Sequence, residues 1–179
     1  MWQIELEFDV IPSDVKEDFI EGESPQDHVL RLAGVKAHTV GGRYPNRWVI
    51  GADTVVSING MILGKPQTDQ EASQMLNMLS GRDHLVVTGV SVCQLAKGKG
   101  ETIAVETSVR IKTLNPEEIT WYIQTGEPFD KAGGYAIQGR GAFMVQRIEG
   151  SYTNVVGLPL CELLELLNRM EATDLSRKL

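Results

Sequence analysis

Val49-Ile50-Gly51-Ala52-Asp53-Thr54-Val55-Val56 is the stretch whose reading decides the fold of this chain. An apolar run stops at two small residues, a carboxylate and a hydroxyl follow, and the apolar pattern resumes. Read as strand, small-residue turn and second strand (residues 47–50 and 54–58), the segment puts Asp53 where a strand opens onto a site. A carboxylate in so apolar a run is costly to bury unless it is paired, hydrogen-bonded or bound to a metal. Asp is also common in turns and caps, and this stretch alone leaves both roles open.

Punctuation on either side of that segment sets the remaining elements. Downstream, Asn59-Gly60 is a hairpin signal, and residues 61–63 lead to Gly64-Lys65-Pro66. Thr68 with Glu71 three residues on reads as a capping box. Ala72, Met75, Leu76 and Leu79 then form one helical stripe closed by Gly81. Residues 85–93 and 102–111 read as two longer strands joined by a polar hairpin loop over 94–100. Asn115-Pro116-Glu117-Glu118 opens a helix with inward Ile119, Tyr122 and Ile123, which Gly126 stops. Residues 126–141 are rich in glycine and polar side chains without a clear period, and a stretch that long is more often functional than idle. A strand over 143–148 follows, and Pro159 opens a last helix carrying Leu160, Leu163, Leu164 and Leu167.

Upstream, the alternation Leu6-Glu7-Phe8-Asp9-Val10-Ile11 before Pro12 reads as a short strand. Ser24-Pro25 with Asp27 reads as a cap, a proline at the first helical position and an acidic first turn. That helix is expected to reach about Val40, where Gly41-Gly42 ends it, with His28, Leu32 and Val35 inward and Val29 and Lys36 alongside. Strands that alternate with helices and hairpins predict a single α/β domain over residues 1–179 with a mixed sheet.

Composition narrows the function classes. The 179 residues are 42% hydrophobic and 23% charged, an ordinary soluble-domain balance. A formal charge of −7 suits a nucleic-acid polymer poorly, yet a small phosphorylated ligand needs only a local cluster of cations. Cys93 and Cys161 lie in apolar stretches without metal-ligand or CxxC spacing, which fits buried free thiols in a reducing compartment. No apolar run is long enough to span a membrane. The start carries Glu5, Glu7 and Asp9 and no basic n-region, so it does not read as a signal peptide. The expected compartment is the cytoplasm.

Polar clusters fall at strand ends and in loops: Asp14/Glu17, Lys36, Asp53-Thr54, Lys65, Ser80-Gly81-Arg82, Asp130-Lys131 and Gln138-Gly139-Arg140. Ligands of open α/β sheets bind beyond strand ends. Carboxylates with several Lys and Arg suit a phosphate ester held with a divalent cation. Each cluster alone also has a structural explanation: Lys36 as a solvated helix face, Ser80-Gly81-Arg82 as a helix stop near a negative dipole end, Asp130-Lys131 as an exposed ion pair. Gly64-Lys65 lacks the glycine spacing of a phosphate loop, and three histidines are too few for a metal cluster.

Taken together and in order, these residues resemble the Maf family, nucleoside triphosphate pyrophosphatases of the inosine-triphosphatase-like fold. The resemblance runs through Phe8-Asp9-Val10-Ile11-Pro12-Ser13, Leu32-Ala33 with Lys36-Ala37, Gly51-Ala52-Asp53-Thr54-Val55-Val56, Gly64-Lys65-Pro66 and Met78-Leu79-Ser80-Gly81-Arg82 with His84. It continues through Val87-Thr88-Gly89-Val90, Gly126-Glu127-Pro128-Phe129-Asp130-Lys131-Ala132-Gly133-Gly134-Tyr135, Ile137-Gln138-Gly139, Gly150-Ser151-Tyr152 and Val155-Val156-Gly157-Leu158-Pro159-Leu160. It is collinear and covers nearly the whole chain.

The resemblance implies a twisted mixed β-sheet flanked by helices, and hydrolysis of dTTP and UTP, with modified pyrimidine nucleotides as further substrates, to the monophosphate and pyrophosphate. It implies Mg²⁺ or Mn²⁺ as cofactor, a homodimer as an allowed assembly, and a secondary link to septum formation. Asp53 resembles the general base that activates water or holds the metal beside it. Lys65 joins it as a catalytic residue. Thr54 and Gln138 resemble the pair that marks the dTTP/UTP branch, and Gln138 can offer a pyrimidine edge both a donor and an acceptor. Lys36, Lys65 and Lys131 resemble the phosphate-facing cations, with Arg82 as a further substrate-binding residue.

Two departures stand out. Family members carry a Ser-x-Ser-Pro-Arg-Arg loop before their first helix, which grips phosphates at a helix N-terminus. This sequence begins at Met1-Trp2-Gln3-Ile4-Glu5-Leu6 without it, so it is expected to be N-terminally shortened, with one sheet edge lacking its partner strand. Lys16 stands where many members carry an acid, which makes Glu17 or Asp14 the candidate for a second metal ligand, Glu17 being the one chosen. A catalytically impaired nucleotide-binding or protein-interaction module is the alternative function.

Overall fold

The computed structural model describes residues 6–172. Its centre is a five-stranded sheet in the order β2-β1-β3-β4-β5. The strands are β1 (Val49–Ile58), β2 (Met61–Leu63), β3 (Asp83–Gln94), β4 (Lys99–Ile111) and β5 (Val145–Glu149). The helices are α1 (Pro25–Arg43), α2 (Asp69–Leu79), α3 (Pro116–Gln124), α4 (Tyr152–Val155) and α5 (Leu160–Arg169).

Local chemistry places the ends of these elements. The Ser24 hydroxyl accepts from the Asp27 amide, and Pro25 occupies the first turn of α1. Thr68 caps α2, although Glu71 reaches back to the amide of Gln67 rather than to that of the cap. Asn115 and Glu118 close a full capping box on α3. Asn59 and Gly60 have φ of 52° and 78°, as a two-residue hairpin between β1 and β2 requires.

The sheet differs from the mixed one expected: all of its pairings are antiparallel among the described residues. Helix α2 links β2 to β3, strands that run the same way but have β1 between them, so the crossover creates no parallel pair. Three further expectations change. Residues 6–11 form no strand; Ile11 instead packs against the cluster of Ala37, Val40, Val49 and Cys93, and Arg43 donates to the Pro12 carbonyl. The two strands expected over 47–50 and 54–58 are one strand, Val49–Ile58, continuous through Gly51, Ala52 and Asp53. Helix α1 passes Gly41-Gly42 and ends at Arg43.

Helix α1 covers one face of the sheet, and its inward residues are Val29, Leu32, Ala33, Ala37 and Val40, whereas Val35 is exposed. Its backbone lies directly on two glycines. A Cβ at Gly51 would stand 2.4 Å from the Ala33 carbonyl oxygen, and one at Gly89 would stand 2.2 Å from that of Val29. On the opposite face α2 and α3 bury Leu76, Leu79, Ile119 and Tyr122 against Val56, Val86, Val109 and Ile111. Helix α5 covers the other end of that face with Leu163, Leu166 and Leu167 on Val90 and Val92. Of the two cysteines expected to be buried, Cys93 is, whereas Cys161 is exposed near the start of α5. Met1–Glu5 lie outside the described residues. No helix among the described residues is long and apolar enough to cross a membrane.

Candidate active site

Successive residues of a strand point to opposite faces of its sheet. Asp53 is on the α1 side with Val55, and Thr54 is on the other side with Thr88. Both nevertheless line one cavity of about 600 Å³, because it wraps the edge of β1. Among the described residues β2 pairs only with Val56, Ser57 and Ile58, so the edge at Ala52, Asp53 and Thr54 faces this cavity rather than a strand. The volume lies in the range of small-molecule sites, about 300–1,000 Å³.

On the Asp53 side the carboxylate is 8% exposed and its Oδ1 accepts from Lys36 Nζ at 2.7 Å. Lys36 extends from α1, whose position is fixed by the close approach over Gly51. The same ammonium reaches Glu17 Oε1 at 2.5 Å. Burial works against the Lys36 charge, but the hydrogen bonds to Asp53 and Glu17 outweigh it and carry its pKa above the usual lysine value. The Lys36 hydrogen bond in turn holds Glu17 below the ordinary carboxylate range, against a smaller opposing effect of burial.

Glu17 belongs to an irregular segment that runs back along α1, from Arg43 at Pro12 to His28 at Phe19, and is fastened at several points. Phe19 stacks on His28 with ring centroids 4.7 Å apart. Glu23 takes Arg31 Nε at 2.6 Å and His28 Nδ1 at 2.9 Å, and the Arg31 bond above all brings its pKa to about 2. Arg31 also donates to the Asp18 carbonyl. The neighbouring candidate, Asp14, is exposed and does not line the cavity.

On the Thr54 side the hydroxyl lies 2.9 Å from Thr88 Oγ1, which is fully buried and donates to the Asn154 carbonyl. Gln138 lines the same cavity and donates from Nε2 to the Tyr152 hydroxyl at 3.2 Å. Lys65, beyond β2, has no carboxylate within ion-pair distance among the described residues, while its charge draws Glu17 and Asp130 downward. Lys131 pairs with Asp130 at 2.7 Å, the main reason Asp130 lies below the usual range.

Asp53, Thr54, Lys36, Lys65, Lys131, Gln138 and Glu17 are therefore brought together as the sequence suggests. Arg82 is not. It follows α2 at the far end of β3, exposed, with its backbone tied to Leu79 and Ile111. Sequence reasoning passed over Glu127, Tyr135 and Val155–Gly157, which also line the cavity; the aperiodic 126–141 stretch was the signal for the first two.

Residues 1–170 match the family model described as Maf-like protein. The chain belongs to that family. A relative from Geotalea uraniireducens is 53% identical over 169 residues, covering 94% of this chain and 87% of the relative. One from Syntrophotalea carbinolica is 52% identical over 172 residues, 95% of this chain and 78% of the relative. A third, from Myxococcus xanthus, is 48% identical over 167 residues, 93% of this chain and 84% of the relative. Each is named dTTP/UTP pyrophosphatase.

Nucleotide pyrophosphatases of the Maf family are in general metal-dependent, and the donors here fit a hard divalent cation. Among the described residues no three His, Cys, Asp or Glu side chains form a complete protein cage. Mg²⁺ does not need one, since it keeps water ligands and uses one or two carboxylates with substrate phosphates. Asp53 and Glu17 are two such carboxylates, already close enough to share the Lys36 ammonium. Four carboxylates against three lysines also line the cavity, so a triphosphate entering it needs further positive charge.

Proposed function

We propose that this chain, acting as one catalytic domain, hydrolyses dTTP and UTP to the nucleoside monophosphate and pyrophosphate. The observation that carries the reading is the β1 edge. Asp53 and Thr54, adjacent in sequence and on opposite faces, open into one cavity that also holds Lys36, Lys65, Lys131 and Gln138. This supplies a chemical side and a recognition side to a single elongated ligand. The names of relatives near 50% identity favour the pyrimidine triphosphates.

Asp53 takes a proton from the attacking water. That water adds to the α-phosphorus, the bond from phosphorus to the bridging oxygen breaks, and pyrophosphate leaves. Lys36 orients Asp53 through Oδ1, while Oδ2 has no side-chain partner among the described residues. Lys65 binds and stabilises the departing phosphate charge, with Lys131 beside it. Asp53 and Glu17 would hold Mg²⁺ or Mn²⁺, which when bound neutralises phosphate oxygens and polarises phosphorus. Gln138 keeps one amide proton and its carbonyl oxygen for a base edge after its bond to Tyr152. A purine that leaves those groups unpaired is bound less well. Such an enzyme belongs in the cytoplasm, where nucleotide pools are.

Release of pyrophosphate from dTTP, UTP, GTP and methylated GTP, with Mg²⁺ and with Mn²⁺, tests this. Turnover of dTTP and UTP that the Asp53→Asn variant lacks is the expected result. A folded wild type that releases pyrophosphate from none of them overturns the reading and leaves a binding module.

A further inference from the structure

Glu127 is the most heavily bonded carboxylate of the cavity wall, and the chemistry above gives it no task. It follows Gly126, whose φ of 76° turns the chain sharply at the end of α3. Its Oε1 accepts from the Tyr122 hydroxyl at 3.0 Å and from the Gly141 amide at 2.9 Å, and its Oε2 accepts from the Arg140 amide at 3.0 Å. The Tyr122 oxygen, having donated its proton to Glu127, accepts from the Ala136 amide at 3.2 Å. These bonds straddle Gln138, with Ala136 held on one side and Arg140 and Gly141 on the other.

The fit around them is close. A Cβ at Gly139 would stand 2.9 Å from Glu127 Oε2, and one at Gly141 would stand 2.7 Å from the Tyr122 hydroxyl. Gly139 also has a φ of 73°, in the left-handed region that suits glycine. Burial pushes the Glu127 carboxyl up, but the Arg140 and Gly141 amides and the Tyr122 hydroxyl outweigh it and hold it below the ordinary range. It is a carboxylate at neutral pH, an acceptor at both oxygens, which a neutral amide cannot reproduce.

We propose that Glu127 is a positioning residue for base selection: by gathering Tyr122, Arg140 and Gly141 onto one carboxylate, it fixes the 136–141 loop that presents Gln138 to the nucleobase. The proposal rests on the pyrimidine-triphosphate reading. It makes substrate preference depend on a side chain that does not itself read the base, with Tyr122 on α3 as the second half of the same clamp.

The test uses Glu127→Gln and Tyr122→Phe, each alone and combined with Gln138→Ala. Steady-state kinetics with dTTP and GTP are expected to show the dTTP-to-GTP ratio of kcat/KM falling about 10- to 100-fold in Glu127→Gln, the range of one or two misaligned charged hydrogen bonds. The loss sits mainly in KM, and it shrinks when Gln138 is already alanine, because Glu127 acts through that residue. Tyr122→Phe gives a smaller loss in the same direction. Equal losses for both nucleotides, a loss confined to kcat, or full additivity with Gln138→Ala overturns the proposal.

A readout without turnover keeps the two readings separable. If the wild type releases no pyrophosphate, the enzyme reading falls, and equilibrium binding of dUMP against GMP decides the role of Glu127. A wild-type preference for dUMP that Glu127→Gln loses supports it. The same preference in both proteins, or none in the wild type, overturns it.

Discussion

Replacing Gly89 by alanine presses a methyl group into the backbone of α1. The added carbon would lie 2.2 Å from the Val29 carbonyl oxygen, 1.2 Å inside the 3.4 Å at which ordinary contact begins. The obstacle is helix backbone, with no rotamer through which to yield, so α1 and β3 must separate by roughly an ångström. Overpacking of this kind costs about 1–3 kcal/mol, and here we expect the upper part, about 2–3 kcal/mol. For a domain of this size that lowers Tm by about 4–12 °C. The functional loss is expected to be larger still. Gly89 is the register partner of Asp53, and Lys36 lies about two turns along the helix that moves. A misplacement near 1 Å in a catalytic pair costs about 100-fold in rate. Urea unfolding with pyrophosphate release from dTTP measures both. The contrast is Gly34→Ala in the same helix, where the added carbon meets nothing within 4 Å. That change is expected to stabilise α1 by about 1 kcal/mol with turnover preserved. A Gly89→Ala protein within about 0.5 kcal/mol of wild type and with unchanged kcat would refute the claim that this backbone contact sets the Lys36–Asp53 pair.

Two further outcomes follow from the buried ionisable groups. Lys36→Met leaves Asp53, with 7% of its side chain exposed, beside Glu17 without their shared cation. It should cost about 3 kcal/mol and at least about 100-fold in turnover, read by calorimetry and pyrophosphate release; an unchanged Tm would show that Asp53 draws its stabilisation from elsewhere. Burial lowers the pKa of His84 to about 4, below its unfolded value of about 6.5. The unfolded chain therefore binds the extra proton first, and His84 removes stability as pH falls from 6.5 toward 4. Between pH 7 and pH 5 the loss should be about 2 kcal/mol, and a His84→Gln protein should lack that part of the pH dependence in urea titrations.

Much of the fold was legible wherever a local rule and the tertiary structure agree. Ser24-Pro25, Thr68, Asn115 with Glu118 and Asn59-Gly60 each use a side chain or backbone angle that acts within a few residues, and each marks a true boundary. The misreadings come from residues whose purpose is distant. Gly51-Ala52 reads as a turn because small residues punctuate chains, yet Gly51 is small because the backbone of α1 lies on it. Gly41 reads as a helix stop, but its bare Cα gives room to Leu95, with a would-be contact at 3.2 Å. Residues 6–11 alternate like a strand, yet Val10 is exposed, and Leu6 and Ile11 serve instead as anchors on two separate core clusters. In α1 His28, Leu32 and Val29 are buried as expected, and only Val35 lies outside. In the site, the pairing of Lys36 with Asp53 spans 17 residues and two elements, so no local pattern encodes it. Arg82 travels with the family motif but serves the far end of β3.

The strand carrying Asp53 and Thr54 works as an indexed rail. Because consecutive side chains alternate about the sheet, one added residue ahead of Asp53 within β1 would exchange the two faces. The carboxylate would then turn toward Thr88 and the hydroxyl toward Lys36, and chemistry and selectivity would be lost together. The reaction and the choice of nucleotide thus cannot drift apart by insertion or deletion in this strand; they can be retuned only by substitution in place, or from the loop that carries Gln138.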